Sequence, residues 1–161
     1  DINISKDKCY WDIWAEIDEN NIVIRVIVIK EAELDTGNWG DKSKWIKTSY
    51  NTNNGKHYVP KEHQDFSEES ADQSKALRYR YAGVGMKYDA ENDVFYYPSS
   101  INASHIFDTT TWSWIPPIPK PDSKENPDDE GTSYVWNENL YQADTGNPKT
   151  KGWVAVEDFG E

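Results

Sequence analysis

Hydrophobic and polar residues alternate at the short period of β-strands in several segments of this chain. The clearest pair of strands covers residues 14–17 and 22–29, which flank the polar turn at residues 18–21. Residues 22–29 are almost all β-branched, and the Asp and Asn residues of the turn tolerate a left-handed backbone. Because the second strand is apolar on both faces, the pattern predicts that it lies centrally and is covered on both faces.

Three further strands are predicted in the first half of the chain, at residues 45–50, 56–59 and 76–81. The Asn54-Gly55 step between the first two is a strong short-range signal for a hairpin. We therefore expect residues 56–59 to return beside residues 45–50. A short helical turn is expected near residue 31, and the polar residues 61–75 are expected to form an exposed loop.

The second half of the chain is organised around a repeat. Each copy has an aromatic residue, a turn-forming Asp or Asn, a short polar run and a second aromatic residue. The copies run from Tyr88-Asp89 to Phe95, from Phe107-Asp108 to Trp114, and from Trp136-Asn137 to Trp153. The third copy has an enlarged tip at residues 142–152. Each copy predicts a β-hairpin with an aromatic residue on each arm, and their unequal spacing favours a meander over a strict solenoid.

These patterns predict an all-β fold, an antiparallel meander of β-hairpins with long polar loops and little helix. Two regions are expected within it. Residues 1–85 form an N-terminal β-hairpin region, and residues 86–161 form a C-terminal region of aromatic hairpin repeats.

Composition adds that the core must be built from rings more than from aliphatic side chains. Aromatic residues make up 14% of the 161 residues, with eight Trp and ten Tyr, while the mean hydropathy is only −0.92. The net charge of −12 argues against nucleic-acid binding, and no apolar run approaches the roughly 20 residues of a membrane span. We therefore expect neither nucleic acid nor a membrane as a partner. The single cysteine, Cys9, is expected to be an inert thiol.

No constellation of residues predicts catalysis, a metal site or a cofactor. The acidic turn at residues 89–93 lacks the central Gly and final Glu of a calcium loop, and hairpin turns favour Asp and Asn for backbone reasons. The three histidines, His57, His63 and His105, are too scattered to indicate a metal site. We expect no catalytic, metal-binding or cofactor-binding residues, and a protein that is not an enzyme.

The aromatic residues are the candidates for function, because a thin β meander cannot bury all of them. Exposed rings stack on sugars or anchor protein partners. The candidate partner contacts are Tyr96, Tyr97, Trp112, Trp114, Trp136, Tyr141 and Trp153. A core role is favoured for Phe95, Trp114 and Trp136 at the repeated positions, whereas Trp112, Tyr96 and Tyr97 suit either role equally.

Several stretches of this chain resemble a family of small proteins of tailed phages that infect marine bacteria, cyanophages above all. The resemblance covers most of residues 14–153. It is carried by the motifs Trp14-Ala-Glu-Ile-Asp-Glu-Asn-Asn-Ile-Val23, Glu33-Leu-Asp-Thr-Gly37, Lys44-Trp-Ile-Lys-Thr-Ser-Tyr-Asn-Thr52, Gly55-Lys-His-Tyr58, Tyr81-Ala-Gly-Val-Gly-Met-Lys-Tyr-Asp89 and Tyr134-Val-Trp-Asn-Glu138.

The resemblance implies a setting in the virion, associated with its tail or capsid, and assigns no catalytic residue. The leading hypothesis is a non-enzymatic structural or accessory protein that binds other virion proteins through its aromatic hairpins, in several copies or as a homo-oligomer. One alternative is a carbohydrate-binding or host-surface adhesion module, with a host surface glycan as its partner. Another is an assembly chaperone or host-directed inhibitor that acts in the infected cell.

Overall fold

The computed structural model of the chain describes residues 11–122 and 131–156. The chain divides into two compact units, and the boundary between them falls between Pro98 and Ser99 in the sequence. The described residues form one three-stranded sheet and four two-stranded sheets, all antiparallel, with two short α-helices. The predicted all-β fold with little helix is confirmed. The expectation for Cys9 lies outside the described residues.

The first unit is built on the three-stranded sheet. Its strands are β1 (Asp12–Ile17), β2 (Val23–Ile29) and β3 (Trp45–Thr48), in the order β2-β1-β3. Helix α1 (Glu31–Asp35) and a 3-10 turn (Lys42–Lys44) connect β2 to β3. The short helical turn expected near residue 31 is therefore confirmed.

Both faces of this sheet are covered, because side chains alternate across the pleat. One face packs in a core cluster of Ala15, Ile17, Val23, Ala82, Met86 and Phe95. The other face packs in a second cluster of Trp14, Ile29, Leu34 and Trp45. Arg25 lies over the rings of Trp39 and Trp45, 5.4 and 5.0 Å from their centroids, and pairs with Glu16 at 2.6 Å. This arrangement closes the second cluster against solvent.

The structure corrects the expected place of the most apolar strand. β2 lies at the edge of the sheet, and the central strand is β1. The tight turn at residues 18–21 holds β2 against one side of β1, and β3 returns to the other side. Both faces of β2 contribute to the core clusters, but Ile24 and Val28 are exposed. The apolar pattern on both faces of β2 therefore reflects its cover by the two core clusters, and it does not require a central position in the sheet.

The Asn54-Gly55 signal produces a smaller hairpin than expected. Strands β4 (Thr52–Asn53) and β5 (Lys56–His57) pair across it, with φ of 49° at Asn54 and 79° at Gly55. β5 pairs with β4 and not with β3, because the turn at Tyr50 and Asn51 separates β3 from β4. The Asn54-Gly55 step therefore predicted the hairpin correctly, but the strand that pairs with β5 is β4.

The strand expected at residues 76–81 is wrong. This segment consists of turns, and Arg78 and Tyr79 have φ angles of 56° and 73°. The Tyr79 carbonyl accepts from the Gly55 amide, and the Arg78 carbonyl accepts from the Phe95 amide. Because two successive residues have positive φ angles, the backbone leaves the β region here and cannot continue as a strand.

The first aromatic hairpin completes this unit, with strands β6 (Lys87–Asp89) and β7 (Val94–Tyr96). The second unit contains the other two. Strands β8 (Ile106–Asp108) and β9 (Ser113–Ile115) form one hairpin. Strands β10 (Ser133–Trp136) and β11 (Trp153–Val156) form the other, and helix α2 (Glu138–Ala143) lies in the connection between them. The enlarged tip at residues 142–152 therefore begins inside a helix that the sequence pattern did not predict.

Candidate functional site

Each copy of the aromatic repeat places its two rings directly opposite each other on neighbouring strands. The pairs are Tyr88 with Phe95, Phe107 with Trp114, and Trp136 with Trp153. Their ring centroids lie 5.1, 5.2 and 5.4 Å apart. Directly opposed aromatic pairs stabilise antiparallel strands. The repeat therefore specifies three β-hairpins, and the predicted arms of these hairpins are confirmed.

The turn carboxylates of the repeat bind backbone amides. Asp89 accepts from the Asn92 amide at 3.0 Å, and Asp108 accepts from the Thr110 amide at 2.9 Å. These hydrogen bonds lower the pKa of both carboxyl groups. Within residues 11–122 and 131–156, no three His, Cys, Asp or Glu side chains gather where a metal ion could bind. Hydrogen bonds to the backbone of their own turns explain these Asp residues without a ligand.

Trp112 occupies the left-handed position of the second turn, with a φ of 51°. The matching position of the first turn is Asp93, with a φ of 54°. Asp and Asn adopt this conformation readily, but a bulky side chain there is an outlier. The Trp112 ring meets Phe107 edge to face, 6.0 Å between centroids. A strained backbone at an aromatic residue indicates that the ring itself has a role.

Trp136 is the centre of a ring cluster in the third hairpin. His105, Tyr141 and Trp153 surround it at centroid distances of 5.7, 5.4 and 5.4 Å. The backbone of Gly152 packs against the same indole, and a Cβ atom there would lie 2.4 Å from two of its ring carbons. Gly152 also has a φ of 150°. The cluster therefore requires glycine at this position.

Glu138 connects this cluster to the loop that precedes β8. Its carboxylate accepts from Gln142 Nε2 at 2.8 Å, from the Ser104 hydroxyl and from Trp136 Nε1 at 2.9 Å. The Ser104 amide donates to it as well, at 3.0 Å. These hydrogen bonds lower the pKa of Glu138 to about 2. A carboxylate held ionised in this way is a structural acceptor and is unsuited to general acid–base chemistry at neutral pH.

Asp144 organises the rest of the enlarged tip. Its carboxylate accepts from the backbone amides of Gly146, Thr150 and Lys151 at 2.8, 2.8 and 3.1 Å. These three amides lower the pKa of Asp144 to about 2. The Lys149 ammonium lies over the Tyr141 ring, 4.8 Å from its centroid. The tip is thus a shaped, hydrogen-bonded loop.

The outward faces of the second-unit hairpins are aliphatic, whereas the sequence pattern predicted aromatic contact residues. Ile106 and Ile115 lie opposite each other across β8 and β9, and both are exposed. Val135, opposite Val154, is exposed on β10. Among residues 99–122 and 131–156, Gly152 alone is fully buried. The signal was present in the alternation Ile106-Phe107-Asp108 and Ser113-Trp114-Ile115, where an aliphatic residue follows or precedes each ring.

The structure brings the candidate contact residues together in three places. Trp112 and Trp114 both contact Phe107, and Trp136, Tyr141 and Trp153 share the ring cluster of the third hairpin. Trp153 Nε1 also donates to the Ile118 carbonyl at 2.8 Å. Tyr96 and Tyr97 belong to the first unit, where Tyr97 is exposed and Tyr96 is half-buried.

No family model matches this chain, and no curated protein or solved structure matches it either. Within the described residues, no helix has the length and apolar character needed to cross a membrane.

Proposed function

We propose that this chain is a non-enzymatic structural or accessory protein of a tailed-phage particle, bound to other virion proteins through the hairpins of its second unit. The resemblance of its motifs to marine phage proteins supports the setting. The surface of the second unit supports the mode of binding. As a virion component, the protein would be present in several copies, because particles are built from symmetry-related contacts.

The observation that carries the binding mode is the two-sided character of these hairpins. Their rings pack against one another on one face, and the opposite face presents the aliphatic pair Ile106 and Ile115. Single exposed apolar side chains are common on soluble domains, whereas a contiguous exposed apolar patch indicates an interaction site. The partner would bury this aliphatic face of the hairpin.

The alternative of a carbohydrate-binding or adhesion module gains less from these hairpins. A sugar stacks on an open ring face. Phe107 and Trp114 meet at 62°, and Trp136 and Trp153 at 76°, so a ring edge covers one face in each pair. All four rings are also half-buried, which leaves little open ring surface. The geometry of the second unit therefore favours a protein partner.

The setting can be tested on phage particles purified by density gradient. We expect mass spectrometry to find this chain at a constant ratio to the major virion proteins. Its presence in infected cells together with its repeated absence from particles would overturn the virion proposal and favour an assembly chaperone or host-directed inhibitor.

The binding surface is tested with phages that carry substituted genes. The double variant Ile106→Ser/Ile115→Ser removes an aliphatic pair that is 58% and 41% exposed. The control Ile24→Ser/Val28→Ser changes side chains that are 50% and 60% exposed in the first unit. We expect the first variant to lose incorporation into particles by about tenfold or more and the control to be retained, because buried apolar contacts at an interface carry most of its affinity. Equal incorporation of both variants, with unchanged circular dichroism, would contradict the proposed surface.

A further inference from the structure

The first unit contains an open cavity of about 260 Å³ that none of the predicted contact residues lines. It lies where the chain leaves β3 for the small hairpin β4–β5, beside the start of β1. Its lining includes two aromatic residues and several polar ones, among them Trp11, Asp12, Lys47, Tyr50, Asn51 and His57. Cavities that combine ring faces with a few oriented polar groups are the usual form of small-molecule sites.

The two rings of the cavity are solvent-accessible. Trp11 is 59% exposed and Tyr50 is 42% exposed. Tyr50 is held in place, since its ring meets Tyr81 edge to face at 5.3 Å and its carbonyl accepts from Gln64 Nε2 at 2.6 Å. The Lys30 ammonium lies 5.0 Å from the centroid of the Trp11 ring. Because both rings are exposed, they offer apolar surface to a ligand, and neither ring belongs to the core clusters.

The polar groups of the cavity are oriented by the fold. Lys47 and Asp12 form an ion pair at 3.3 Å, so neither charge is left alone at the site. His57 is buried, and its Nδ1 atom lies 2.7 Å from the Ser70 hydroxyl. Gln73 holds the His57 backbone, accepting from its amide at 2.7 Å and donating to its carbonyl at 2.9 Å. Burial lowers the pKa of His57, which keeps the imidazole neutral at physiological pH.

We propose that this cavity binds a neutral saccharide, with a sugar ring packed on the exposed ring of Trp11 and its hydroxyl groups hydrogen-bonded to Asp12, Asn51 and His57. A pyranose has both an apolar C–H face and a rim of hydroxyl groups, and this lining matches both. A purely apolar ligand would have to desolvate the Asp12–Lys47 pair without replacing its hydrogen bonds to water.

An anionic ligand fits the cavity less well. The chain carries a net charge of −12, which repels an anion at long range. At contact, Lys47 is paired with Asp12 at 3.3 Å, and Lys75 is the other cation of the lining. The ring faces and the hydroxyl-binding groups of the lining favour a neutral sugar, and the net charge of the chain favours it over an anion.

The test uses the full chain with glucose, galactose, mannose, N-acetylglucosamine and short oligosaccharides of each, followed by calorimetry and by tryptophan fluorescence. Glucuronate and adenosine serve as comparison ligands. We expect at least one neutral sugar series to bind and both comparison ligands to bind more weakly or not at all. Failure of every neutral sugar at millimolar concentration, or tighter binding of glucuronate or adenosine, would overturn the proposal.

Two variants locate any binding that is seen. Trp11→Ala removes an exposed ring and should weaken sugar binding by about tenfold, as truncation of an aromatic anchor does. Tyr97→Ala removes an exposed ring of the same unit that lies outside the cavity lining and should leave affinity unchanged. An unchanged affinity in Trp11→Ala, with an unchanged thermal midpoint, would show that the sugar binds elsewhere and would overturn the assignment of this cavity.

Discussion

At the scale of single residues, the left-handed positions of the hairpin turns show which residue suits its backbone conformation and which does not. Asp93 and Trp112 have almost the same φ, but only Asp93 belongs to the residue types that this conformation favours. Asp93 also pairs with Arg78 at 3.2 Å, so its side chain stabilises the first unit. At Trp112, a bulky ring occupies a left-handed backbone conformation that this residue type disfavours. This contrast makes Trp112 the most informative single position in the second unit.

We therefore predict opposite outcomes for two neighbouring tryptophans. Trp112→Asn relieves a left-handed strain of about 1–3 kcal/mol and loses one ring contact, so its stability should stay the same or rise. Trp114→Asn removes the ring opposite Phe107 and should destabilise the hairpin by about 1–3 kcal/mol. Urea unfolding of both variants measures the difference. A loss of stability in Trp112→Asn as large as that in Trp114→Asn would assign Trp112 to the scaffold.

At the scale of elements, each hairpin is closed by a carboxylate or amide that caps its turn, and the third adds two more acceptors. Asn137 accepts from the Leu140 amide at the start of α2, while Glu138 and Asp144 hold the connection from helix to strand. The long connection between β10 and β11 is ordered by these hydrogen bonds, because it has little apolar surface to bury. The shape of the tip should therefore depend on the ionisation of the two carboxylates.

The tip is predicted to loosen in acid. Both carboxyl groups have a pKa of about 2 in the folded chain, below the values of about 4.3 for Glu and 3.9 for Asp in an unfolded chain. A lowered pKa contributes stability that is complete above the unfolded values and is lost as the pH falls toward about 2. Near-UV circular dichroism of the tryptophan cluster, recorded between pH 7 and pH 2, measures this change.

Substitution identifies the groups responsible for that acid transition. Glu138→Gln should be less stable than the parent at pH 7 and should show a smaller further loss between pH 4 and pH 2, because one of the two titrating groups is gone. Glu91→Gln, in the turn of the first hairpin, is the matched control and should keep the parent profile. The idea fails if Glu138→Gln has the same acid profile as the parent.

At the scale of the whole molecule, the two units differ in how their side chains are buried. The fully buried hydrophobic residues of the described chain all lie between Trp14 and Phe95, in the first unit. The second unit relies on ring-to-ring contacts of half-buried side chains and on hydrogen bonds to Glu138 and Asp144. This difference predicts that the first unit is more stable on its own than the second, because burial of apolar surface is the main source of folding free energy.

Residues 1–98 and 99–161, produced separately, should therefore behave differently on heating. We expect the first to unfold in one cooperative transition and the second to unfold broadly at a lower temperature. Differential scanning calorimetry of both pieces and of the full chain checks this. A sharp transition in residues 99–161 at the temperature of the full chain would contradict it.

Short segments of the sequence specify the β-hairpins directly. The opposed pairs of rings, the capping Asp residues and the Asn54-Gly55 turn are encoded within about ten residues of chain, where backbone preference and alternation act directly. Which strands share a sheet depends instead on the tertiary structure, which places β2 at an edge and leaves residues 76–81 without a strand. It also decided which rings are covered and which faces stay exposed, and it assembled the cavity that contains Trp11 and His57. These properties depend on contacts between residues far apart in the chain, and a local pattern of apolar residues cannot specify the partner that covers them.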